Sequence, residues 1–305
     1  MFTLTVFSKD RALQLDLTLN SVKENLPFFD NIVVLYNISS PSFHKGYEIL
    51  MKQHPDVKFI RQKGSIFKNM SSIIDDCGTE YFCMCTDDMI AYTSYRSSVN
   101  IHKAFQTPLP HEAGHTINIA VFSLRNGRNI TKRNSAAVRT TMPDHMPLFL
   151  SDGDTDCIYW SWTSIPYGGY WGYPLSTDGH IYRTKTIASV FEELVVLDRY
   201  YSNNKGVPRA KHAWAQTPNV IESKMQRSIY DLETVCACPP RSCFVNSPNN
   251  RVQDVATNSH GDRYSYSQQD LNDKFLDGAR IDLSKLHFGF IECPHTEIDI
   301  LEGLV

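Results

Sequence analysis

The sequence predicts an α/β fold in which a central, mostly parallel sheet is flanked by helices and followed by a C-terminal elaboration. Three observations carry this. Short apolar runs alternate with helical-period segments through about the first hundred residues. Those runs are nearly continuous in β-branched, aromatic and aliphatic residues, as strands covered on both faces are. Each is followed by a helix, the crossover that a parallel neighbour requires.

Leu4-Thr5-Val6-Phe7 reads as the first strand, and Leu13, Leu15, Leu17, Leu19 and Val22 give an apolar face to a helix that stops near Pro27. The unit repeats as Ile32 to Tyr36, a helix over Phe43 to Gln53, and a third strand over Val57 to Ile60. A helix from Ser65 to Asp76 then leads into Tyr81-Phe82-Cys83-Met84-Cys85. This half is Rossmann-like. From about residue 105 prolines become frequent, and Trp160, Trp162, Tyr167, Tyr170, Trp171 and Tyr173 crowd one stretch. Strands are expected at Ile117 to Leu124, His180 to Arg183 and Leu286 to Ile291, and helices around Ile187 to Leu197 and Ser267 to Leu276.

Composition narrows the function classes. The chain has 305 residues, 42% apolar and 21% charged, with 30 Lys+Arg against 33 Asp+Glu for a net charge of -3. That is globular composition without the basic excess that nucleic acid demands. No run approaches the roughly 20 apolar residues of a membrane span, and Met1 to Phe7 lacks the basic start of a secretory leader. Eight cysteines in this length are too sparse for a disulfide framework, so reduced thiols and a cytoplasmic location are expected.

Ligands of open α/β sheets bind at the carboxyl ends of the strands, and each of the four strands ends in polar residues. These are Ser8-Lys9-Asp10-Arg11, Asn37-Ile38-Ser39-Ser40, Arg61-Gln62-Lys63-Gly64 and Thr86-Asp87-Asp88. A glycine fingerprint for a dinucleotide and a Gly-Lys-Ser/Thr loop are both missing. Asp87-Asp88 is the sharpest feature: adjacent carboxylates at the end of a buried strand repel unless a cation joins them, and oxygen donors suit Mg²⁺ or Mn²⁺. A solvated turn accounts for the dipeptide equally well.

These N-terminal residues resemble the GT-A nucleotide-sugar glycosyltransferases, through Ser8-Lys9-Asp10-Arg11 before an amphipathic helix, the βα repeats, and Thr86-Asp87-Asp88 where that fold carries its Asp-x-Asp metal motif. The likeness covers residues 1 to about 95. More diffusely, Phe122 to Gly127, Trp171 to Arg183, Pro218 to Glu222 and Asn249 to Asp254 resemble bacterial and viral members. The resemblance implies a UDP- or GDP-sugar donor held by Ser8, Lys9, Asp10, Arg11, Asn37, Gln62, Thr86 and Asp87, and Mn²⁺ or Mg²⁺ on Asp88, with His295 as a late ligand. It also implies a glycan or other hydroxyl acceptor. Thr86 replaces the first Asp, so the motif is DXD-like only. Residues 1–105 are expected to hold the donor and 106–230 the acceptor, with 231–305 an extension packing on the domain.

An inverting transfer needs a carboxylate base opposite the leaving diphosphate. Asp178, beside a glycine that permits close backbone approach, is the first candidate; Glu222, in the first turn of an expected helix, is the second. A retaining reaction needs neither. His111-Glu112-Ala113-Gly114-His115 fits a zinc-protease pattern, but Pro108, Pro110 and Gly114 oppose the helix it requires. Asp152 to Asp156 opens like a calcium loop and then fails, with Cys157 in the glycine position. Cys236, Cys238 and Cys243 lack zinc-knuckle spacing. The alternative functions are a metal-dependent nucleotidyltransferase and a non-catalytic nucleotide-sugar or glycan-binding protein.

Overall fold

A computed structural model of the protein describes residues 1–110, 114, 116–132, 146–148, 157–165, 169–203, 216–231, 233–252 and 261–305. The N-terminal elements are β1 (Phe2–Lys9), α1 (Ala12–Asn25), β2 (Asn31–Asn37), α2 (Pro41–Gln53), β3 (Lys58–Arg61), α3 (Ile66–Asp76) and β4 (Tyr81–Thr86). They follow the expected order closely. Pro41 opens α2 at a position where its missing N–H costs nothing, and Ser65 caps α3 by accepting the Lys68 N–H.

The chain continues through β5 (Met89–Ala91), α4 (Ser98–Gln106), β6 (Leu109–Pro110), β7 (Thr116–Ile117), β8 (Ile119–Ser123), β9 (Met146–Leu148), β10 (Cys157–Ser161), β11 (His180–Arg183) and α5 (Thr184–Asn203). It ends with α6 (Pro218–Met225), β12 (Val235–Cys238), β13 (Phe244–Asn246) and α7 (Gln268–Leu276). The central sheet has nine strands among the described residues, in the order β3-β2-β1-β4-β11-β8-β12-β10-β9. The strands β3, β2, β1 and β4 are mutually parallel, β12 is parallel to β8, and β11 and β10 run against their neighbours. The class is the expected one, a mostly parallel α/β sheet with flanking helices.

Right-handed crossovers put α1 and α2 on one face and α3 on the other. Accordingly α1, α2 and α7 pack together while α3 packs on α5. The core between these layers includes Phe67, Phe82, Phe122, Tyr182, Phe191 and Phe275, all fully buried. Among the described residues no helix is long and apolar enough to cross a membrane.

Two local expectations change. The apolar run from Ile117 is broken at Asn118, so that β7 turns back onto β6 and only β8 joins the sheet. Leu286 to Ile291 is not a strand. Leu286 and Ile291 are buried one by one and Phe290 is 71% exposed, with no neighbouring strand among the described residues to complete a ladder.

Pairing direction builds the functional edge. Because β4 is parallel to β1, with Phe7 opposite Thr86, the polar ends of both emerge side by side. Because β11 is antiparallel to β4 and β8, with His180 opposite both Met84 and Ser123, its beginning lies at the carboxyl ends of those strands. Asp178 and Arg125 therefore reach the same edge as Asp88. An antiparallel pair between β13 and β5 adds Asn246 opposite Met89, and an isolated bridge joins Asn246 to His295.

Candidate active site

Asp87 points inward. Its Oδ2 accepts the Ser8 hydroxyl at 2.8 Å and the Lys9 N–H at 3.0 Å, and its Oδ1 accepts Arg11 Nη1 at 2.9 Å. Behind Ser8, its Oγ lies 2.6 Å from the hydroxyl of the fully buried Tyr47. Burial raises the Asp87 carboxyl to about 6, against the pull of Arg11. Asp88, less buried, accepts Arg11 Nη1 on Oδ2 at 2.9 Å, and Thr86 Oγ1 and Asn246 Nδ2 on Oδ1 at 2.7 and 2.8 Å. Arg11 is itself buried and also donates Nε to Asn250 Oδ1 at 2.7 Å and Nη2 to the Asn250 carbonyl at 2.5 Å. One guanidinium thus already separates the two carboxylates, and two negative charges with one positive leave this triad at -1.

The other expected donor-side residues lie on the same edge in looser roles. Asp10 adopts a left-handed φ of 57°, which Asp tolerates, and its Oδ1 receives the Ser39 N–H at 2.8 Å. Lys9 Nζ donates to the Val252 carbonyl at 3.1 Å. Asn37 Oδ1 accepts the Ile38 N–H at 2.9 Å, and Gln62 Nε2 reaches the Gln216 carbonyl at 3.5 Å.

A second cluster forms where β8, β11 and the C-terminal segment meet. Arg125 Nη1 donates to Asp178 Oδ2 at 2.9 Å, while His295 Nε2 is 3.7 Å from the same oxygen. Asp178 Oδ1 has no hydrogen-bond partner among the described residues. His295 Nδ1 lies 3.0 Å from the Tyr170 hydroxyl, and the Arg125 guanidinium sits 5.4 Å from the centre of the Tyr170 ring. Burial, and to a lesser degree Arg125, holds the His295 imidazole below its usual range, while Asp178 and Asp88 oppose that shift. Glu222, half-buried, takes Ser176 Oγ on Oε1 at 2.6 Å. Its carboxyl is raised to about 7, first by burial and then by the charge of Asp178.

Asp88 and His295 suit a divalent ion chemically, offering a carboxylate and an imidazole kept neutral. Among the described residues no group of three or more His, Cys, Asp or Glu surrounds a common point.

Several sequence readings change here. Gly179 has φ +73°, and the approach it permits is to the Phe244 ring and Met89 of the core rather than to a ligand, since an added Cβ would lie 2.7 Å from Phe244 Cδ2. Glu222 falls in the second turn of α6, past the reach of the first-turn dipole. Of the aromatic stretch, Trp160 and Trp171 are core, packed edge to face and bonded to the Trp171 and Ile130 carbonyls, while Tyr170 stands in the site cluster. Cys236 and Cys238 belong to the interior strand β12, their thiols pushed up by burial. His111, Glu112 and His115, Asp152 to Asp156, Tyr167 and Asp254 lie outside the described residues. Sequence reading missed Arg125, Tyr47, Asn246 and Asn250. Arg125 and Asn250 stand in segments that carried the wider resemblance, and that was their only signal.

No protein-family model matches the chain. Over an alignment 313 positions long that covers 93% of the chain, it is 23% identical to the bifunctional glycosyltransferase pgtA of Dictyostelium discoideum, of which it spans 38%. Solved structures with similar outlines include S. aureus TarS 1–349 in complex with UDP, at 11% identity and TM-score 0.44 over 81% of this chain and 61% of that one. Another is the 4-diphosphocytidyl-2C-methyl-D-erythritol synthase of Anaerococcus prevotii, at 7% identity and TM-score 0.38 over 79% and 90%. The resemblance to glycosyltransferases read from the strand ends and the sequence relative of the whole chain agree.

Proposed function

We propose that the chain transfers a glycosyl group from a nucleoside-diphosphate sugar, a UDP- or GDP-sugar, to a hydroxyl of a glycan or other acceptor, with inversion and with Mn²⁺ or Mg²⁺. The observation that carries this reading is the meeting of Asp88, His295 and Asp178 on one sheet edge, linked by His295 at 3.7 Å from Asp178. Asp88 and His295 would hold the ion, whose contribution is to offset charge on the departing diphosphate. Ser8, Lys9, Asp10, Asn37 and Gln62 line the donor side, in residues 1–105. Arg11, Thr86 and Asp87 act beneath them by fixing Asp88.

Asp178 is the base. Its Oδ2 is tied to Arg125 and its Oδ1 is left to receive the acceptor proton. The acceptor then lies against residues 106–230, and the segment 231–305 completes the site through Asn246, Asn250 and His295.

The test is incubation of the protein with UDP- and GDP-sugars and Mn²⁺. Release of nucleoside diphosphate, lowered roughly 10²-fold or more in Asp178→Asn with donor affinity kept, supports the reading. Release of sugar 1-phosphate, or of pyrophosphate when a nucleoside triphosphate is offered in place of the sugar nucleotide, would indicate a nucleotidyltransferase instead, and binding without turnover a non-catalytic module.

A further inference from the structure

We infer that Glu222 is a positioning residue that holds the backbone at Asp178, and not a second base. The inference rests on the proposed role of Asp178. One carboxylate oxygen organises three consecutive residues. Glu222 Oε1 accepts Ser176 Oγ at 2.6 Å and the Thr177 N–H at 3.3 Å, and Ser176 Oγ in turn accepts the Asp178 N–H at 3.1 Å. Ser176 and Thr177 are buried, so these groups have no water to turn to if the carboxylate is removed.

The rest of the turn is boxed in. Gln226, the residue that ends α6, donates Nε2 to the Leu175 carbonyl at 2.5 Å, so the segment is gripped at a second point. The Ser176 N–H donates to the Tyr182 hydroxyl at 2.8 Å. On the far side Gly179 is pinned against Phe244. Asp178 is therefore fixed twice, through its backbone by Glu222 and through its side chain by Arg125.

Oε1 of Glu222 is committed to the turn, as Oδ2 of Asp178 is to Arg125, so what separates a positioning residue from a base is whether its proton matters. Positioning needs only that Oε1 accept hydrogen bonds, which a carboxylate, a carboxylic acid and a primary amide all do. A base would need the proton affinity that only the carboxylate has. The two roles therefore part company in Glu222→Gln.

The experiment compares Glu222→Ala, Glu222→Gln, Ser176→Ala and Asp178→Asn. It reads turnover of the UDP- or GDP-sugar that the wild type consumes in Mn²⁺, affinity for UDP and GDP by calorimetry, and amide exchange over residues 175–179. Glu222→Ala and Ser176→Ala are expected to lower kcat by roughly 10- to 100-fold, to change nucleotide affinity by less than about twofold and to speed exchange at 176–178. Glu222→Gln should recover most of the lost turnover and the slow exchange. Ser176→Ala keeps the test open if Glu222→Ala fails to fold.

A Glu222→Gln variant as impaired as Glu222→Ala would overturn the inference, because the proton of Glu222 would then matter. So would full turnover in Glu222→Ala beside an inactive Asp178→Asn, which leaves the role of Asp178 standing. An active Asp178→Asn would overturn the base assignment itself, and the inference with it.

Discussion

Arg11 occupies the position from which a divalent cation was expected to relieve the repulsion between Asp87 and Asp88. A buried guanidinium 2.9 Å from each carboxylate meets that need within the chain, so the Asp-Asp pair is explained without an ion between its two carboxylates. Removing one partner of such a buried set leaves an uncompensated charge. Arg11→Gln should cost about 3–5 kcal/mol at pH 8. The sign with pH follows from Asp87. An acid whose folded-state pKa is raised binds its proton more readily folded than unfolded, and losing Arg11 raises it further, so the deficit shrinks toward pH 5. Urea melts at the two pH values check this. Glu222 gives a second case. Unfolded, it releases its proton near 4.5; folded, at about 7. Across that interval stability falls as pH rises, and Glu222→Gln lacks this loss. The variant should match the wild type near pH 4 and exceed it by something on the order of 1–3 kcal/mol at pH 8, as read from the same melts.

At the level of elements, the four N-terminal strands were legible because each is a continuous apolar run followed by its own helix. Leu286 to Ile291 has a similar apolar run but no partner, and a strand exists only in its pairing. The interior strand β12 is short, and its cysteines, which lack zinc-knuckle spacing, serve as small buried hydrophobes. The donor-side residues were visible as strand ends. Arg125, Asn246 and Asn250 were not, because their importance comes from long-range pairing that local patterns do not encode. Gly179 shows how an element positions a side chain: its left-handed φ and the Phe244 ring fix where β11 begins, and so where Asp178 stands. Gly179→Ala should destabilise the protein by about 1–3 kcal/mol through strain and overpacking and lower turnover more than donor affinity. Thermal melts with paired kcat and binding measurements decide this.

For the molecule as a whole, the sheet gathers residues from both ends of the sequence onto one edge, Ser8 to Arg11 from the start, Asp87 and Asp88 from β4, Asp178 and Arg125 from the middle, and His295 from the end. The chain spans 38% of the pgtA protein it resembles. Calorimetric titration of UDP and of GDP, with and without Mn²⁺, into the wild type and Asp88→Asn tests the central claim most directly. The account predicts that at least one nucleotide binds only with Mn²⁺ and is bound at least about tenfold more weakly by the variant, a loss of roughly 1.4 kcal/mol. Equal affinity in both proteins, or no binding of either nucleotide with Mn²⁺ present, would contradict it.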